Sequence, residues 1–191
     1  MRTNCAPLAS VRRFRAADAG VAAVEFALIL PIMLLIYIGI VEASALISMD
    51  RKVQSVSGAV GDLVARSDGV IATTTLNDYV KIAGAIMTPY SPEGLVQIVS
   101  QVEVKLDGST RIDWSERYVN QLRQSTGAHK KDAAYKLPKE IIDIAKGNWV
   151  IVAESGYSYR PLYGIVFEQS VNLYRENFYL PRFGERIKLT P

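Results

Sequence analysis

A single cysteine, Cys5, and a single histidine, His129, are all that the 191 residues offer to thiol or imidazole chemistry. One cysteine rules out an intramolecular disulfide and a multi-thiolate metal centre. Cys5 also precedes the N-terminal arginines instead of following an apolar run, which argues against a lipoprotein anchor. His129 is flanked by Gly127, Ala128, Lys130 and Lys131, a context that reads as a solvated loop histidine. A serine triad needs an imidazole oriented by a carboxylate, and that run gives no sign of one. Glu103, Asp113, Glu154 and Glu168 supply carboxylates, but no spacing sets two of them across a cleft. Glycine-rich phosphate loops and metal-ligand motifs are missing as well. The reading is of a protein that is not an enzyme, with no cofactor, no metal and no small-molecule substrate.

Excess charge of one sign is also lacking, once its location is considered. The chain holds 22 basic and 19 acidic residues. Arg2, Arg12, Arg13 and Arg15 against Asp18 put a net +3 into residues 1–20, which leaves 18 basic and 18 acidic residues beyond them. Nucleic-acid binding rests on a concentrated basic patch that neutralises phosphates, so no nucleic-acid partner is expected.

What the chain does have is one long apolar run. From Val21 to Val41 there are 21 residues, and Glu25 is the only charged one. About 20 apolar residues cross a bilayer as a helix, the one form in which an isolated segment pairs all its backbone groups in lipid. Glu25 sits one turn inside the start, where the positive end of the helix favours a carboxylate. Taken alone it could be no more than an interfacial glutamate that begins a membrane helix. The basic segment before the run reads as a positive-inside signal, with the N-terminus cytoplasmic and the C-terminus across the membrane. Residues 1–20 are then a leader, to be set aside in reasoning about the fold.

The order of these residues carries a resemblance. A basic leader ends in Gly20, and Glu25 follows as the fifth residue with Phe26 beside it. This is similar to the processing site of Flp-type (tight adherence, Tad) prepilins and pseudopilins. The stretch A-G-V-A-A-V-E-F-A-L-I-L-P, with the later G-I-V-E, resembles the opening of the TadE-like pseudopilin family. The runs D-G-S-T-R-I-D-W-S, E-S-G-Y-S-Y-R-P-L and N-F-Y-L-P-R resemble its middle and C-terminal strands. The resemblance implies that a membrane prepilin peptidase cuts between Gly20 and Val21, with Glu25 and Phe26 in the recognition site. It implies Flp pilin and other Tad pseudopilins or assembly-platform proteins as partners, in or on the inner membrane. Two departures stand out: the ending is shorter than the usual Y-x-R-P-R type, and the outer domain lacks the cysteines that many members carry. TadE-like, TadF-like and short TadG-like identities all stay open.

Two other readings of the N-terminus compete. Ala43-Ser44-Ala45 could be the small-x-small cut of a secretory signal peptide, although the apolar run exceeds the usual 7–15 residues and Glu42 would precede the cut. An unprocessed single-pass anchor could instead carry a periplasmic binding or scaffold domain, with the late tyrosines Tyr157, Tyr159, Tyr163, Tyr174 and Tyr179 facing a partner. Those tyrosines serve equally well as alternate strand positions that pack a core.

The expected fold is α+β: a leader over 1–20, a membrane helix with an amphipathic extension over 21–67, and a periplasmic domain over 68–191 with a mainly antiparallel sheet and short helices. Val53, Val56, Val60, Leu63 and Val64 recur at helical spacing past the membrane run, so a rod from Val21 to Ala65 would be roughly 65 Å long. Pro31 predicts a kink or loosened turn. After Ser67-Asp68-Gly69, Thr73, Thr74 and Thr75 offer capping hydroxyls to a helix whose face is Leu76, Tyr79, Val80, Ala83, Ile86 and Met87. Ile98, Val102, Val104 and Leu106 line one face of a strand, with Gln97, Gln101, Glu103 and Lys105 on the other. Asp107-Gly108 turns it back through Thr110, Ile112 and Trp114. Tyr118, Val119 and Leu122 suit a short helix. Lys139–Lys146 is another, stopped by Gly147. A central strand over Trp149–Tyr159 and one or two last strands, near 166–174 and 177–180, complete the reading.

Overall fold

The computed structural model describes residues 18–191 apart from 127, 162, 163 and 165–168. One helix, α1, runs from Asp18 to Ala65 and passes through Pro31 without a break. It is followed by β1 (Val70–Ala72), α2 (Thr73–Gly84), a 3-10 turn (Ala85–Met87), β2 (Val96–Val104), β3 (Thr110–Val119) and β4 (Leu122–Gln124). Then come α3 (Lys139–Ala145), β5 (Asn148–Tyr159), β6 (Val171–Tyr179) and β7 (Lys188–Thr190). Five strands form an antiparallel sheet in the order β4-β3-β2-β5-β6, and β1 pairs in parallel with β7. The expected α+β class is what is observed.

The C-terminal half of α1 lies along β5 and β6. Val53, Val56, Val60 and Val64 are fully buried there, as their spacing predicts. Two glycines let the sheet approach. A Cβ at Gly61 would come within 2.6 Å of the Tyr179 ring and 3.0 Å of Ala153, so nothing larger than hydrogen fits. Gly58 faces the Tyr179 hydroxyl with more room. Polar clasps flank the seam: Arg175 meets Asp50 at 2.5 Å, Asn177 donates to Ser57 Oγ at 2.7 Å, and Arg182 meets Asp62 at 2.7 Å.

The β2–β3 hairpin forms about Asp107-Gly108, with Val104 opposite Thr110. Its sides differ from the expected in–out pattern. Gln97 and Gln101 are as buried as Val102 and Val104, because the glutamine face lies beneath α1 and α2 and the valine face beneath residues 133–145. The return strand also departs from simple alternation. Gln101 pairs with Trp114 but Val102 pairs with Ile112, so Asp113 is an extra, bulged residue. A bulge of this kind flips the facing of everything beyond it. Ile112 therefore packs in the valine-face core, while Trp114 packs on the helix side. There its indole N–H lies 2.7 Å from the Ile187 carbonyl and 2.8 Å from Gln101 Oε1, filling a core position as its size suggests.

Three further expectations are corrected. Tyr118, Val119 and Leu122 are not helical: β3 extends through Val119 and turns back into β4 at Asn120-Gln121, both with positive φ. Thr73 does not cap its helix; its hydroxyl donates to the Thr190 carbonyl at 2.8 Å and ties α2 to β7 instead. The one or two last strands expected near 166–174 and 177–180 have other bounds: a single strand of the main sheet, Val171–Tyr179, runs through both, and β7 follows it. The expected start of that region near Val166 lies outside the described residues, as does Tyr163. The α3 helix stops as predicted, with Gly147 at φ +77°.

Candidate functional site

Two places in the structure hold groups that the fold does not consume. The first is the N-terminal stretch of α1. Among the described residues, 20–37 are exposed throughout. Burial begins at Ile38, and Glu42 and Met49 are each only 1% exposed. Val21, Val24, Phe26, Leu28, Ile29, Ile32, Leu34 and Leu35 each leave at least half of their surface open. At 1.5 Å per residue this bare stretch is about 27 Å long, close to the thickness of a bilayer's hydrocarbon core. A large exposed apolar surface of this kind is what lipid or a neighbouring helix covers. The helix over 20–65 is long and apolar enough to cross a membrane, and single-pass anchoring follows from it.

Within that stretch the geometry of the expected site can be read directly. Val21 and Glu25 are four residues apart on a continuous helix, hence on one face and one turn from each other. Phe26 is exposed next to them. Gly20 and Val21 are both inside the helix, which begins at Asp18. No packing in the chain demands a glycine at 20: a Cβ there would meet nothing within 4 Å. The contrast with Gly61, on the same helix, is complete.

The second place is on the sheet face turned away from α1. Glu154 of β5 and Glu176 of β6 are directly opposite each other, an arrangement in which two carboxylates repel. The structure offsets this with donors from the segment after β4. His129 Nε2 lies 2.7 Å from Glu154 Oε1, and the Tyr135 hydroxyl donates to the same oxygen at 2.8 Å with Glu176 at 3.3 Å. The Tyr174 hydroxyl reaches Glu176 at 3.3 Å. Glu154 is 4% exposed. Burial, then the charge of Glu154, pushes the Tyr135 phenol above the usual tyrosine range and keeps it a neutral donor. His129 is thus not a solvated loop residue. It is half-buried, its ring stands edge-on to Tyr135 at 5.1 Å, and its backbone N–H donates to Ser115 Oγ at 3.2 Å. The flanking lysines masked this in the sequence; the signal that could have found it is Glu154, a lone carboxylate in the most apolar strand.

Elsewhere the carboxylates serve structure. Asp113, at the bulge, receives two hydrogen bonds from Arg186, Nε at 2.7 Å being one, and that guanidinium lies 5.5 Å from the Trp149 ring. Glu103 binds Arg111. Glu168 lies outside the described residues. Among the described residues no group of three or more His, Cys, Asp or Glu is placed to hold a metal ion. Of the late tyrosines, Tyr159 is buried and Tyr179 packs on Gly61, while Tyr174 is 53% exposed.

Comparison with protein families finds that residues 20–60 match the family described as TadE-like protein. The matched segment runs from Gly20 through the bare stretch and into the buried valines of the same helix. Comparisons with curated proteins and with solved structures returned no match.

Proposed function

We propose, from a chain whose residues 20–60 are TadE-like, that it is a minor pseudopilin-like component of a Flp/Tad-type pilus or secretion apparatus. In this reading a prepilin peptidase cuts between Gly20 and Val21, on the cytoplasmic side of the inner membrane, and the α+β domain stands in the periplasm. The observation that carries it is the division of α1: residues 20–37 are exposed among the described residues, whereas from Met49 onward one face of the same helix is core. A helix built this way is anchored at one end and free to pack laterally at the other.

The chemistry follows from the helix geometry. Cleavage frees an α-amine at Val21, one turn from the Glu25 carboxylate. In a low-dielectric bundle each group favours the charged form of the other, and the amine reaches equally well to Glu25 of a neighbouring helix. Such a pairing sets the axial register of adjacent stems, and removing one partner strands a charge in lipid. The secretory alternative fits less well: a cut after Ala45 would sever a continuous helix where Ala45 and Leu46 pack against the core.

The test uses two substitutions in cells that express the pilus system. Gly20→Leu should leave the larger, unprocessed band on a gel. Glu25→Ala should be processed but fail to support pilus assembly. Normal pilus output from Glu25→Ala would overturn the register role, and normal processing of Gly20→Leu would overturn the cleavage site.

A further inference from the structure

Among the described residues, the sheet face opposite α1 is covered only in part. Residues 133–145 lie over Val102, Val104, Ile112, Val150 and Val152. Beyond them the face opens into a hollow of ≈ 350 Å³ lined by Val96, Ile98, Arg117, Glu154, Gly156 and Tyr174, with Ser155 at its margin. The pairing registers order its walls. Arg117, Ile98, Glu154 and Glu176 form one row across four adjacent strands, and Val96, Gly156 and Tyr174 lie in the next. At Gly156 the wall is bare backbone: a Cβ there would meet nothing nearer than the Leu173 carbonyl at 3.8 Å and Val96 Cβ at 3.9 Å.

The two ends of this row carry opposite charge. Arg117 is half-buried and makes no ion pair among the described residues. At the other end Glu154 and Glu176 share the Tyr135 hydroxyl, and His129 Nε2 also meets Glu154. Two strand spacings separate Arg117 from Glu154, roughly 10 Å, with apolar Ile98 between. A phosphate or other bare anion does not fit, because two carboxylates stand across from the one arginine. A group that is negative at one end, positive at the other and apolar in the middle does.

We propose that this hollow is a docking site for an extended segment of a partner polypeptide. The segment lies across the strands with an apolar side chain over Gly156, an acidic group at Arg117 and a basic group at the Glu154–Glu176 pair. The surface is on the outer domain and does not depend on the reading of the stem.

The free tripeptide Gly-Leu-Gly is the minimal probe, since three extended residues span about 10 Å between a positive and a negative end. Titrated into the full chain in detergent micelles and followed by calorimetry, it should bind saturably. Acetylating its amine or amidating its carboxylate should each weaken binding on the order of tenfold, as expected for a lost charge-assisted hydrogen bond. In Arg117→Ala the amidation penalty should vanish while the acetylation penalty stays; in Glu176→Gln the pattern should reverse. Gly156→Leu, which has room to fold, should abolish binding with the melting temperature unchanged. Equal binding of capped and free peptide, or no saturable binding to the wild-type chain, would overturn the proposal.

Discussion

The two halves of α1 belong to one continuous helix, yet they serve opposite ends. Between Gly20 and Tyr37 apolar side chains surround the helix and, among the described residues, all are exposed. Between Met49 and Ala65 the valines fall on one stripe, with Arg51, Gln54 and Ser55 on the other side, and that stripe is the centre of the domain core. An all-round apolar helix belongs in a lipid-like surrounding, and a striped one belongs on a sheet. The lesson is that one continuous element can be read as two by its solvent. Substitutions matched across the halves should therefore part in their effects.

Glycine gives the widest separation. Gly61→Leu drives a side chain into Tyr179 and Ala153, and should cost about 3 kcal/mol or more, enough to prevent folding or lower the melting temperature sharply in detergent. Gly20→Leu meets nothing and should leave the melting temperature where it was. Equal melting for the two would remove the distinction between the halves.

Core truncation comes next. Val56→Ala empties a fully buried position and should cost about 2 kcal/mol in chemical denaturation. Leu34→Ala, in the bare half, should leave domain stability unchanged and alter only membrane retention or lateral packing. A domain as sensitive to Leu34 as to Val56 would mean that the stem packs on something in its own chain.

Away from the helix, Tyr135→Phe removes the hydroxyl that donates to Glu154 and leaves a buried carboxylate short of one partner. A loss of about 1–3 kcal/mol is expected, with the same shift in Glu154→Gln/Tyr135→Phe much reduced. Thermal melts of the single and double variants measure the coupling.

How far all this was legible in the residues depends on whether local pattern or tertiary neighbours set the outcome. The long helix, its valine stripe, the Asp107-Gly108 hairpin, and the α3 stop at Gly147 follow from spacing and turn chemistry, and they appear as expected. The misreadings share a cause. Gln97 and Gln101 look solvent-facing until α2 covers them, when the Gln97 amide finds the Val80 carbonyl at 3.3 Å. The bulge at Asp113 has no local signature, yet it decides which side Trp114 takes. His129 looks wet because its neighbours are lysines, and only the fold brings Glu154 to it. The β1–β7 pairing joins segments more than a hundred residues apart, beyond any local pattern. Helix periodicity places Val21 and Glu25 on one face of α1; the Glu154 cluster was not legible, since its members come from three separate segments.

The smallest expected effect is one of pH. Hydrogen bonds from Arg66, then Arg182, hold the Asp62 carboxyl below its ordinary value of 3.8. A lowered folded value means that ionised Asp62 stabilises the fold above pH 3.8, and that this support is lost as pH falls through the folded value. Asp62→Asn should therefore lower stability by about 0.5–1 kcal/mol at pH 7 and flatten the acid limb of the melting profile below pH 4. A steeper acid limb in that variant would contradict the clasp.

The central claim is that the bare half of α1 becomes a working surface when the segment before it is removed. Intact mass of the protein purified from membranes of cells with the matching peptidase tests this most directly. The account predicts a chain that begins at Val21; recovery of the chain with residues 1–20 still attached, or of one that begins at Leu46, would contradict it.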